Sequence, residues 1–332
     1  MIKVSENTPS NSLYFKQING FRTILFFAII IYHFCFHYFG NESNGFVPDI
    51  SIVWACFFFL SGYFLKIKNT KAYWEGKIVR TIIPFWISVL FIWLVSKIAD
   101  KAYCISIKDM LYNCILFPVF TSTPFVDGAH WFVMQLIYFH ILFWIVIKCD
   151  SVIYKLSKRR DTEHVFVRWA ILLYGLISVL LSYISSDSRF VILLNCIFKP
   201  RLVFICFGFL SNPKLKNIQT KVQQFVILIV IFFYFIRYQN FINYIYFITL
   251  LFLVRLIMLS KIGLLEHKVF QLLGTYSLYI YLVHQTIGYI IISHSPNVVL
   301  GIVLAFVYSI CAGLIFGVTY NKLIKSRLIA NH

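Results

Sequence analysis

Four places in the chain bring together side chains that could do chemistry. The segment INGFRTILFFAIIIYHFCFH carries Arg22, His33 and His37; Ser61 precedes Gly62; His130 precedes Trp131; and His284 stands in GTYSLYIYLVHQ. All lie in or beside long apolar runs, where an ionisable side chain is costly and marks a functional site by default. Arg22 and His33 are eleven residues apart. On an α-helix that spacing returns to within roughly 20° of the same face, about 16 Å along the axis, so the two line one path. An arginine at one end of such a path suits an anionic ligand, and a neutral histidine further along can take a proton from a hydroxyl. Each residue also has a plainer reading. His33 and His284 could be hydrogen-bonding struts between helices, His37 an interfacial residue, Arg22 a basic anchor and Ser61 with Gly62 small-residue packing.

The elements that must hold these residues are membrane helices. Hydrophobic residues make up 60% of the 332 positions, aromatic residues 19% and charged residues only 13%, more apolar surface than a soluble fold can hide. Apolar runs fall near 21–39, 51–66, 82–99, 130–147, 169–185, 201–212, 225–239, 241–259, 270–292 and 298–320. Most approach the length that crosses a hydrocarbon core. The expected fold is all-α, a polytopic integral membrane protein of about ten transmembrane helices in an inner or plasma membrane. The stretch 111–125, interrupted by Pro118 and Pro124, is expected to lie at the outer surface without spanning. The polar segment before Phe21 does not resemble a cleavable signal, so the first helix itself is expected to direct insertion. With no internal repeat or low-complexity segment, residues 1–332 read as a single membrane domain.

Charge sets the orientation. Lys and Arg number 30 against 12 Asp and Glu, and the stretches 1–22, 66–80, 148–168, 212–222, 255–268 and 321–332 hold 23 of the 30. Basic residues collect in cytoplasmic loops, which puts both termini inside and the loops near 40–50, 100–129, 186–200 and 293–297 outside. The same rule explains the basic excess without a nucleic-acid partner. The eight cysteines are scattered without CxxC spacing, so no metal site is expected; Cys104 and Cys114 share an outer loop, which leaves a disulfide open there.

Four stretches, in order and spacing, resemble the integral-membrane O-acyltransferases of acyltransferase family 3. They are the first helix with Arg22 and His33, FFFLSGYFL at 57–65, KIVRTIIPFW at 77–86 and GTYSLYIYLVHQ at 274–285. The resemblance implies transfer of an acyl group, usually acetyl from cytoplasmic acetyl-CoA, to a sugar hydroxyl of a surface polysaccharide or glycolipid. It implies His33 as the catalytic base, with Arg22, Lys77 and Arg80 serving the coenzyme A phosphates or the catalytic geometry. Ser61, His130, Trp131 and His284 are the expected acceptor-side residues, and the implied partners are acyl-CoA, a glycan or lipid-linked sugar, and membrane lipid.

The chain departs from that pattern in three places. Ala55 stands six residues before Ser61 where many members carry Asp, Gln135 follows Trp131 where many carry Glu, and Lys77 replaces the first of two arginines. Lysine keeps the charge and loses the planar fork. The group that orients His33 is therefore open at the level of sequence. A non-enzymatic transporter or flippase for lipid-linked glycan is the alternative, although the inverted repeats and matched broken helices common in transporters are not visible.

Overall fold

The computed structural model describes residues 11–39, 53–68, 70–157, 164–184, 194, 197–212, 215, 218–238, 241–259 and 262–325. The predicted outer loop near 40–50 and the two chain ends lie outside these residues, as does most of the loop near 186–200. Secondary structure among the described residues is helical, with no strand. In chain order the helices are α1 (Asn11–Phe39), α2 (Val53–Tyr63), α3 (Lys71–Ala99), α4 (Ile107–Cys114), α5 (His130–Ser157) and α6 (Val165–Leu181). There follow α7 (Val203–Leu210), α8 (Ile218–Tyr238), α9 (Phe241–Leu259), α10 (Gly263–Glu266), α11 (Lys268–Val283), α12 (Gln285–Ser293) and α13 (Val298–Tyr320).

Each predicted apolar run coincides with one or two of these helices. Five stretches, Lys16–Phe39, Lys71–Ala99, His130–Lys155, Gln219–Tyr238 and Val298–Leu323, are long and apolar enough to cross a membrane. Four apolar helices are shorter, at Val53–Tyr63, Val165–Leu181, Pro200–Leu210 and Phe241–Ile257. The stretch 111–125 forms the end of α4 and a 3-10 turn at Phe117–Val119, with Leu116 between them in the left-handed region. Cys104 and Cys114 are both free thiols, so the disulfide left open by their spacing is not formed.

Two local features follow directly from sequence. Pro84 has no N–H to offer the carbonyl of Arg80, and α3 widens into a π turn over Ile78–Ile82. At the crossing of α2 and α7, a Cβ on Gly62 would lie 2.0 Å from the Ile205 carbonyl oxygen, and one on Gly208 2.0 Å from that of Phe59. Only glycine permits backbones to approach this closely, which matters in lipid, where burial of apolar surface does little to hold helices together. The resulting centre is packed with phenylalanine, including the fully buried Phe58, Phe85, Phe139, Phe143, Phe204 and Phe209. Outward faces carry exposed Leu90, Phe225, Phe252, Val303 and Ile315, as lipid-facing surfaces do.

Candidate active site

His33 lies on the last third of α1, half-buried, and lines a cavity of about 170 Å³ with Ile29, Tyr32, Trp54, Trp131, Arg201 and Tyr281. Its Nδ1 is 2.8 Å from Nε2 of His284, and the two ring planes are within 8° of parallel. Nδ1 of His284 is in turn 2.6 Å from the carbonyl oxygen of Tyr281. A carbonyl can only accept, so His284 Nδ1 carries the proton and its Nε2 accepts. His33 Nδ1 must then donate to His284, which leaves the lone pair on His33 Nε2 free of any hydrogen bond to a described residue. A backbone carbonyl and a second imidazole thus set the tautomer of His33, a task often given to a carboxylate.

His284 can do this because it sits at a break in the helix. The run 270–292, read from sequence as one span, is two helices, α11 and α12, interrupted at His284. No proline is present, and the break is held by partners that take over the backbone groups it frees. Thr286 N–H donates to Asp127 Oδ2 at 2.8 Å instead of to Leu282. The Leu282 carbonyl accepts from His130 Nε2 at 3.1 Å, and the Tyr281 carbonyl from His284. These three polar groups at the break are thereby satisfied, as non-helical backbone at membrane depth requires.

Asp127 is completely buried and caps two helices at once, its Oδ1 accepting from Ala129 N–H at 2.8 Å at the start of α5. The Tyr281 hydroxyl donates to the Ala129 carbonyl at 3.0 Å, and the Thr286 hydroxyl to that of Val126 at 3.2 Å, so residues 126–131 and 281–286 are stitched together. From the other side, Tyr289 donates to the carbonyl of His33 at 3.3 Å. His37 stacks on Tyr289 with ring centroids 3.8 Å apart and stays exposed.

The remaining sequence-predicted residues are spread over the molecule. Trp131 lines the His33 cavity, whereas His130 is a fully buried brace that does not line it. Ser61 turns its hydroxyl to the Phe57 carbonyl of its own helix at 2.7 Å, away from the cavity. Ala55 is buried without exposure, and Gln135 Oε1 is buried with no hydrogen-bond partner among the described residues. Arg22 is on the same continuous helix as His33, half-buried, with no ion pair among the described residues, and does not line the His33 cavity.

Lys77 lines a second cavity of about 600 Å³, between α3 and α5, with Lys71, Trp74, Trp144, Lys148 and His140 among its walls. Its ammonium is 3.1 Å from His140 Nε2, and His140 Nδ1 is 2.6 Å from the Leu136 carbonyl, so the histidine donates to the carbonyl and accepts from the lysine. Arg80 is exposed and does not line that cavity. Among the described residues no group of three or more His, Cys, Asp or Glu could hold a metal ion.

The model of the acyltransferase domain family, acyltransferase family 3, matches residues 15–318, nearly the whole chain. The chain belongs to this family. No curated protein and no solved structure matches it. Membership implies an acyl donor and an acceptor, and with the apolar helices it identifies a membrane acyltransferase.

In this acyltransferase several residues in or around the two candidate cavities escaped the sequence reading: Asp127, Arg201, Tyr281 and His140. Asp127 had a signal, since it stands three residues before His130 at the kind of position that caps a helix. Arg201 had one too. It is among the seven basic residues on the side where the charge rule disfavours them. Tyr281 and His140 carry no mark that separates them from the many other aromatic residues.

Proposed function

We propose that this acyltransferase moves an acetyl group from cytoplasmic acetyl-CoA to a sugar hydroxyl of a surface polysaccharide or glycolipid, with His33 as general base. The observation that carries the reading is the chain from His33 through His284 to the Tyr281 carbonyl, which supports a free lone pair on His33 Nε2 beside the cavity. His33 Nε2 takes the hydroxyl proton as the acceptor oxygen bonds to the thioester carbonyl carbon. The carbon–sulfur bond then breaks, and the proton passes to the leaving thiolate, so His33 ends neutral. A cavity of about 170 Å³ suits a short acyl group and the edge of one sugar ring, which favours acetyl over longer chains.

The cytoplasmic donor is assigned to the end of the molecule that holds Lys77. In the larger cavity Lys71 pairs with Glu75 at 3.4 Å, which leaves Lys77 and Lys148 to offer charge to phosphates, and the apolar and aromatic walls offer surface to the rest of a coenzyme. His140 is ten residues along α5 from His130, about 15 Å of helix, a gap for the extended pantetheine arm to bridge. Arg22 and Arg80 lie toward the same end in this arrangement and add positive charge on the path.

The same proposal includes ten spans, formed by the five long stretches, the four shorter apolar helices and the broken pair α11 and α12. Both termini are cytoplasmic and the membrane is the cell inner (plasma) membrane, as the 23 to seven partition of basic residues supports. The decisive test is His33→Ala. Removing a general base costs a factor of about a hundred to ten thousand, so glycan acylation should vanish in a cell-based assay while protein abundance in the membrane is preserved. Retention of more than about a tenth of wild-type acylation, outside that range, would make His33 a structural strut.

A further inference from the structure

We infer that Arg201 is an anion-recognition residue, and that the acceptor carries a carboxylate or a phosphate on, or next to, the sugar ring that is acylated. The inference rests on the acyl-transfer reading of the His33 cavity and adds the class of acceptor. Arg201 is the charged residue among those lining that cavity, apart from His33 itself. Its guanidinium carbon lies 4.4 Å from the centroid of the Trp131 ring and 5.5 Å from that of Trp54, and the two indoles meet edge to face at 5.9 Å. One hydrogen bond goes to the side chain of Tyr234.

These contacts place the guanidinium over two indole rings and account for one of its donors. A stacked guanidinium gives one face to the ring and keeps its edge N–H groups, five in all, for bidentate binding of an oxyanion. Tyr234 accounts for one, and no carboxylate pairs with Arg201 among the described residues. The residue is also exposed where it lines the cavity.

A neutral sugar would need only the two indole rings and a hydrogen-bonding side chain. A fixed fork with no ion pair among the described residues, placed on the side of the membrane where basic residues are sparse, serves an anion better, and a cavity of about 170 Å³ keeps that anion within about one ring of the hydroxyl that reaches His33. A sugar acid would supply a carboxylate and a lipid-linked or phosphodiester-linked sugar a phosphate; Arg201 recognises what they share.

The test uses the full-length protein in lipid nanodiscs, as wild type, R201K and R201Q, with three probes: methyl glucuronide, glucose 1-phosphate and methyl glucoside. Equilibrium binding is measured for each, along with kcat/KM for acyl transfer. Wild type should prefer at least one charged probe over methyl glucoside, and R201Q should lower that preference by about 10-fold to 100-fold, the range expected for hydrogen bonds to a charged group. Preference for glucuronide identifies the carboxylate and preference for glucose 1-phosphate the phosphate. R201K keeps the charge and loses the fork, so it should lie between the other two.

Equal binding of charged and neutral probes by wild type would overturn the inference. So would an equal loss for all three probes in R201Q, with R201K no better, because Arg201 would then only hold Trp54 and Trp131 in place. Failure of the wild-type protein to acylate anything, alongside Arg201-dependent binding of a charged probe, would sink the acyl-transfer reading while leaving the anion site standing.

Discussion

Asp127→Ala should damage stability and catalysis together, by an amount that can be worked from two hydrogen bonds. The carboxylate accepts Ala129 N–H and Thr286 N–H, each at 2.8 Å, and the residue has no exposure. Hydrogen bonds to a charged group contribute about 1.5–3 kcal/mol each, so removing both costs about 3–6 kcal/mol. The N-termini of α5 and α12 also lose their negative partner. At roughly 2 °C per kcal/mol for a large chain, the apparent melting temperature should fall by about 6–12 °C. Asp127→Asn keeps one acceptor and turns an NH₂ toward the other N–H, so it should lose at least half as much. Since Asp127 pins Thr286, the second residue after His284, acyl transfer per folded molecule should drop at least about tenfold in the Ala variant, the effect of about 1.4 kcal/mol of misplacement. Fluorescence-detected size exclusion after heating gives the melting shift, and single-turnover transfer in the surviving fraction gives the rate. A shift under about 2 °C, equivalent to about 1 kcal/mol, or an unchanged rate, would refute the account of the helix break.

Other parts of the reasoning can be checked independently. His284→Ala removes the acceptor 2.8 Å from His33 Nδ1 and should slow transfer by about 10-fold to 100-fold, whereas His284→Gln, which still offers an acceptor, should lose less; identical rates for Ala and wild type would dismiss the tautomer argument. Gly208→Ala puts a methyl 2.0 Å from the Phe59 carbonyl oxygen, backbone that cannot yield without moving α2 from α7, and should cost more than the usual 1–3 kcal/mol of overpacking. A normal melting curve for that variant would show the crossing to be looser than described. A reporter fused after His332 should read cytoplasmic and one inserted between Ser295 and Asn297 external; the reverse would invert the orientation, and agreement of the two would break the odd count of crossings between them.

By itself the sequence determined the class of fold, the order of the helices and one half of the candidate site. Apolar runs are local and long, so each could be read without knowing its neighbours, and every one is helical. The eleven-residue spacing of Arg22 and His33 is likewise local, and α1 is one continuous helix through both. The four short motifs sufficed to indicate the family that the match over residues 15–318 establishes. Tertiary structure alone decided what surrounds His33. His284 is 251 residues away and Asp127 is 159 residues from the Thr286 N–H it accepts, and no periodicity records such distances. Arg201 reaches the cavity because α2 and α7 cross closely enough at Gly62 and Gly208 to set Trp54 beside it. The physical reason is the solvent. In water, hydrophobic pattern tells a helix which face to bury, but lipid is as apolar as a neighbouring helix, so partner choice falls to small residues and buried polar groups whose meeting appears only once the chain is folded.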